Sequence, residues 1–172
     1  MSNQSIIIPA SLIGFLTLSI FIGTVAASDE QRISSLSALD RQYLDVQRQS
    51  IDDLARRHLG RQLNHTTDNN LSILQALLNQ KLVRPEQKQL LQSMGVVLGE
   101  RLSIDLGMQW VVIEDRYGRS RALRLGATDN FLFPITMISR RAEVGAQVST
   151  RAIYQKAYDL MQPFIQKGPF QY

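Results

Sequence analysis

The sequence predicts an α+β fold: a helical N-terminal half, then a small antiparallel sheet of about three strands covered by helices. Three observations carry this expectation. Between Leu36 and Leu102, apolar residues recur every three or four positions, the period of an amphipathic helix. Gln109–Glu114 and Ser120–Leu125 are strand-like runs separated by Asp115-Arg116-Tyr117-Gly118, an acid-to-glycine turn. A last helical pattern runs from Ser149 to Phe164.

In chain order, Ile6–Val25 comes first, with no charge and only small polar side chains. Twenty residues of helix span about 30 Å, the thickness of a bilayer core. Residues 1–27 are read as a signal peptide cut after Val25-Ala26-Ala27, favoured over an uncleaved membrane anchor. Nothing before Arg32 is basic except the α-amino group, which leaves orientation open. Either reading puts the remainder outside the cytoplasm, in the periplasm. Membrane association, where it occurs, runs through residues 6–25.

Residues 28–66 form the next expected unit, a long amphipathic helix and a loop. Ser34 or Ser35 serves as its cap, and Leu36, Leu39, Tyr43, Val46, Ser50 and Leu54 make its main stripe. Leu44, Ile51, Ala55 and Leu59 lie beside that stripe. Gly60 and the polar run Asn64–Asn70 end the helix.

Residues 67–165 are expected to form a single α+β domain. Asp68–Asn70 cap a shorter helix with Leu71, Leu74, Leu78 and Leu82 in phase, and Pro85-Glu86 opens the following one. That helix carries Leu90, Leu91, Met94, Val97, Leu98 and Leu102. It also contains Gly95 and Gly99, each costing about 1 kcal/mol against alanine in a helix. Their presence implies close approach of another element, expected to be the sheet. The hairpin follows, then a third short strand at Asn130–Phe133. Ile135–Ala142 stays open between two states. Pro134 before it and Gly145 after it favour a helix, whereas β-branched Ile135, Thr136 and Ile138 favour a strand. Ser149 caps the last helix, with Ile153, Ala157, Leu160, Met161 and Phe164 in phase. Pro163 and Lys167-Gly168-Pro169 mark fraying, and residues 166–172 are a tail.

The run LLQSMGVVLGERLSIDLGMQWVVIEDRYGRSRALRL, followed by FPITMISRR, resembles the bacterial family known as domain of unknown function 3806. The shared features are a G-V-V-L-G-E helix end, a W-V-V strand, a D-x-Y-G-R turn and an F-P-x-T-M-I-S-R-R segment. The resemblance covers roughly Glu86 to Tyr158 and extends to the helix around Leu39-Asp40-Arg41. It implies a compact α+β domain, often in exported or membrane-associated proteins, and it implies no activity.

Composition narrows the function classes. The chain has 172 residues, 44% hydrophobic and 20% charged, which suits one globular domain plus an appendage. A net charge of +4 is modest for a nucleic-acid binder, and no nucleic-acid partner is expected. The absence of cysteine removes disulfides, thiol nucleophiles and Cys-based metal sites. His58 and His65, the only histidines, lack a third ligand, so no metal and no cofactor is expected. Adjacent strand residues point to opposite faces, which makes Glu114 and Asp115 a poor acid–base pair. No nucleophile motif or phosphate loop is present.

Arginine is the best lead. Fifteen of the 19 basic residues are Arg, a residue suited to bidentate pairing with carboxylate or phosphate. Trp110, Arg116, Tyr117, Arg119, Arg121, Arg140 and Arg141 are the candidate binding surface. The bland alternative pairs these arginines with Glu100, Asp105, Glu114, Asp115 and Glu143, and makes Trp110 a core anchor. The expected function is a non-enzymatic extracytoplasmic binding or accessory domain, using a basic, aromatic-containing surface around the hairpin. Its partner would be an envelope protein or an anionic envelope ligand. The alternative is an inhibitor or immunity-type protein against an envelope enzyme. A hydrolase with a carboxylate site comes third, and would need a pocket joining Glu100, Glu114 and Arg121.

Overall fold

The computed structural model describes residues 31–165. The expected signal or anchor at 1–27 and the tail at 166–172 lie outside the described residues. Among those described, no helix is long and apolar enough to cross a membrane.

Over the described residues the architecture is α+β, as expected, with five helices and a four-stranded antiparallel sheet. The order is β1 (Arg32–Ser35), α1 (Ala38–Leu59), α2 (Thr67–Asn79), α3 (Lys88–Leu106), β2 (Gln109–Asp115), β3 (Gly118–Arg124), β4 (Phe131–Leu132), α4 (Ile135–Glu143) and α5 (Thr150–Ile165). The strands lie side by side in sequence order. The sheet therefore has one strand more than the three expected. Ser34 and Ser35 do not cap a helix. They pair with Val112 and Val111, and the cap moves to Ser37. Its hydroxyl accepts from the Asp40 amide at 3.1 Å, and the Asp40 carboxylate takes the Ser37 amide at 3.0 Å. This reciprocal box satisfies donors that a helix start otherwise leaves bare.

The buried face of α1 is also displaced from the expected stripe. Leu39 and Val46 are exposed, while Asp40, Leu44, Gln47, Ile51, Asp52 and Ala55 are buried. Three of these six are polar, and each has a fixed partner. Ser93 donates to Gln47 Oε1 at 2.6 Å, the Leu63 amide donates to Asp52 Oδ1 at 2.6 Å, and Asp40 reaches the sheet. Satisfied polar groups can occupy an interface that an apolar pattern would miss.

Helix α3 is the axis of the fold, buried at nearly every position from Leu91 to Leu102 between α1, α2, α4 and α5. It starts at Lys88 rather than at Pro85. The residues before it form a turn, in which Gln87 Oε1 accepts the Arg84 amide at 2.9 Å. Its glycines meet α4 first and the sheet second. A Cβ on Gly95 would stand 2.4 Å from the Ile135 carbonyl oxygen, and one on Gly99 2.5 Å from the Pro134 ring and 2.6 Å from Trp110. Ile135–Glu143 resolves as a helix. Ile138 and Ala142 fill the core, and Ile135 and Thr136 are partly buried.

In α2, Leu71, Leu74 and Leu77 are buried; the helix ends at Asn79, short of Leu82. In α5 the Ser149 hydroxyl accepts the Ala152 amide at 3.2 Å. Ile153, Ala157 and Met161 face the core, but Leu160 and Phe164 are exposed. Pro163 sits inside the last turns of this helix rather than past its end. On the sheet, Leu123 and Leu132 pair across β3 and β4 and close the core. Residues 32–59 thus share one sheet and one helix layer with the remainder.

Candidate functional site

β3 carries Arg119, Arg121 and Leu123 on one face by simple alternation. Leu123 is fully buried. Toward the hairpin tip the same face runs out over the first turn of α1, where the arginines meet Asp40. Arg119 donates to Asp40 Oδ1 at 2.8 Å and to Oδ2 at 2.6 Å, a bidentate pairing, and Arg121 Nε donates to Oδ1 at 2.9 Å. Asp40 is only 1% exposed. The Arg119 hydrogen bonds hold its carboxyl far below the ordinary 3.8; burial opposes them, and Ser37 and the charge of Arg121 add to them. Arg119 also donates to Glu114 at 3.1 Å. The Arg121 guanidinium lies 4.1 Å from the centre of the Tyr43 ring, a cation–π contact.

Beside this knot lies an open cleft of about 480 Å³, whose walls include Tyr43, Arg119, Arg121, Phe133, Thr136 and Arg140. Ile135 and Thr136 are the first residues of α4, whose positive helix end therefore also borders the cleft. Arg140 is exposed and makes no hydrogen bond or ion pair among the described residues. Three arginines and two aromatic rings thus share one concavity.

The remaining sequence candidates lie elsewhere. Arg116 stacks on Tyr117 at the hairpin tip, 4.7 Å from its ring centre, and Tyr117 is 82% exposed. Arg141 donates to its own helix at the Met137 carbonyl, 2.6 Å away. Trp110 packs against Gly99 on the side of α1 and α3. Glu100, Glu114 and Arg121 do not converge. Glu114 binds Arg119, while Glu100 sits on α3 with Asp45 and Arg48. Among the described residues no cluster of His, Asp or Glu is placed to hold a metal.

A family model described as "Domain of unknown function (DUF3806)" matches residues 70–154. Residues 70–154 are a DUF3806 domain. The match contains Arg119, Arg121 and Arg140 but stops short of Asp40 and Tyr43, which α1 supplies from outside it. No curated protein sequence matches the chain. A crystal structure from Bacteroides thetaiotaomicron VPI-5482 at 1.50 Å resolution has a similar fold. The TM-score is 0.69 at 14% identity, over 76% of this chain and 48% of the other. The chain spans about half the length of that protein, and at such identity the likeness is one of fold alone.

A second polar cluster joins Thr67, just ahead of the matched residues, to Arg101, Asp105 and Tyr154 within them, and went unseen in the sequence. Arg101, only 6% exposed, donates to Thr67 at 3.1 Å and to Asp105 at 3.0 Å. Thr67 and Tyr154 each donate to Asp105 Oδ2 at 2.6 Å. Burial works against the Asp105 charge, yet the bonds from Thr67 and Tyr154 and the neighbouring Arg101 outweigh it and lower its pKa. Burial and the Asp105 bond push the Tyr154 phenol well above its usual range. Every group is satisfied within the cluster, which ties α2 and α5 to the end of α3. Its role is structural. Tyr154→Phe should cost about 1.5–3 kcal/mol, the worth of a hydrogen bond to a charged group, measured by urea denaturation. An unchanged midpoint would show that water replaces the phenol at no cost.

Proposed function

We propose that this protein is a non-enzymatic binding or accessory module acting outside the cytoplasm, and that it takes an anionic group in the cleft between β3 and α4. The observation that carries this reading is Arg140, a solvent-facing guanidinium without a partner among the described residues, beside two arginines already held in place. Asp40 absorbs charge from Arg119 and Arg121 but also fixes their orientation, which lowers the entropy lost on binding. Phe133, 43% exposed on the cleft wall, offers apolar contact next to the charge. The ligand chemistry is a carboxylate or a phosphate, from an acidic segment of an envelope protein or a lipid headgroup. The extracytoplasmic setting rests on the uncharged segment at residues 6–25.

The test is titration of the full chain with a peptide of consecutive glutamates and, separately, with phosphatidylglycerol vesicles. Arg140→Ala should weaken binding by at least about tenfold, since a charge-assisted hydrogen bond contributes about 1.5–3 kcal/mol. The melting temperature should stay unchanged, and added salt should weaken the wild-type complex. Equal binding by Arg140→Ala and wild type would sink the reading. The exposed Tyr117 at the hairpin tip supports a second one, in which the tip inserts into an envelope enzyme as an inhibitor would. Loss of a partner in Tyr117→Ala, but not in Arg140→Ala, would select it.

A further inference from the structure

A second concavity lies along the seam of α1 and α3. Two clefts of about 350 and 440 Å³ share Asp45, Arg48, Glu100 and Ile104 as common walls. One continues to Trp110 and the other to His65, so together they form a single trough open along its length.

The trough is amphipathic in a particular way. Ile104 is 62% exposed and, with the half-buried Trp110, presents apolar surface. Around it stand groups able to accept and donate hydrogen bonds. Asp45 is exposed and makes no hydrogen bond or ion pair among the described residues. Glu100 has one ion pair, to Arg48 at 3.8 Å, and both side chains remain substantially exposed. That distance is too long for a hydrogen bond, so carboxylate and guanidinium both keep free capacity. Two arginines, Arg41 and Arg48, oppose two carboxylates, Asp45 and Glu100, and the third arginine on the wall, Arg101, is neutralised by Asp105 at 3.0 Å. The trough therefore has no dominant sign of charge, unlike the arginine cleft.

An apolar platform flanked by unsaturated carboxylate and guanidinium groups, with no net charge, matches a neutral polyhydroxyl chain. The C–H face of a sugar ring can cover an indole, while vicinal hydroxyls bridge carboxylate and guanidinium. A polyanion would meet Asp45 and Glu100, and a polycation would meet Arg41 and Arg48. We propose that the seam of α1 and α3 binds a linear, uncharged saccharide strand. Burial pushes the Glu100 pKa up, Arg48 and Arg101 pull it down, and Asp45 raises it further. Hydroxyl donors would relieve that burden on the ionised group.

The only tryptophan of the chain, Trp110, is a built-in reporter. The full chain is titrated with the neutral hexamer of N-acetylglucosamine and, separately, with a hyaluronan hexamer carrying a carboxylate on alternate rings. The result expected is a saturable change in tryptophan emission with the neutral hexamer alone. Asp45→Asn and Arg48→Ala should each weaken that binding tenfold or more. Both residues are accessible, and unchanged thermal melting would establish that the variants fold. Lys156→Ala on α5, which lines neither concavity, should bind as wild type. Three results would each overturn the proposal: no saturable response, a response to hyaluronan only, or unaltered affinity in both seam variants. None of them bears on Arg140, so the arginine cleft stands or falls separately.

Discussion

Asp40→Ala should lower the unfolding free energy by about 3 kcal/mol. Part comes from the lost return half of the capping box, in which the Asp40 carboxylate takes the Ser37 amide, and the rest from its charge-assisted hydrogen bonds to Arg119 and Arg121. The estimate stays below the value for a fully buried ion pair, because the Arg119 side chain is 42% exposed and Arg121 23% exposed, and water partly replaces what they lose. Asp40→Asn keeps acceptor atoms for the cap but removes the charge. The pH dependence separates the two contributions. The folded pKa of Asp40 lies below its ordinary 3.8, so its stabilisation is complete above that value and fades as pH falls through it toward the folded pKa. Wild type should therefore exceed Asp40→Asn in stability at pH 7, and the gap should narrow steadily below about pH 4. A gap independent of pH between 7 and 3 would mean that the charge on Asp40 contributes nothing.

Gly95→Ala should destabilise by about 1–2 kcal/mol net, for an opposite reason. Alanine gains about 1 kcal/mol of helix propensity over glycine. Its Cβ, however, would stand 2.4 Å from the Ile135 oxygen and 2.6 Å from that of Pro134. Both are backbone atoms of the α4 start and cannot rotate away. The two helices must separate, which exposes Ile138 and breaks the packing of α3; overpacking of this kind costs about 1–3 kcal/mol before propensity is counted. Gly99→Ala meets side chains instead, the Pro134 ring and the Trp110 edge, and should cost less. Because α4 carries Arg140, Gly95→Ala should also weaken anion binding in the cleft. Chemical denaturation of both variants checks the ranking. Gly99→Ala proving the worse of the two would show that Trp110 is less adjustable than the α4 backbone.

Much of this fold was legible from local patterns. The hairpin ends fell within a few residues because Asp115-Arg116-Tyr117-Gly118 demands a turn that β-branched neighbours cannot make. Gly60 and Gly107 close α1 and α3 in the left-handed region, at φ of 61° and 65°, where glycine has no penalty. β1 was missed for a physical reason. Four residues, Arg-Ile-Ser-Ser, hold no pattern of their own, and the pairing with Glu114–Val111 is made across some eighty residues of sequence. The stripe on α1 was misplaced because Asp40, Gln47 and Asp52 are buried polar residues whose partners come from Arg119, Ser93 and Leu63. Apolar periodicity has no means of registering a satisfied carboxylate.

By itself the sequence determined the α+β class, the glycine approach on α3, the turn at the hairpin tip and a surplus of arginine; each depends on residues close together in the chain. Only the tertiary structure decided which arginines of the cleft are paired. Arg119 and Arg121 are held by a carboxylate 79 and 81 positions away, while Arg140 has no such partner among the described residues. The charge of a side chain is written in the sequence, but its neutralisation depends on distances of a few ångströms, and those are set by how α1, β3 and α4 pack.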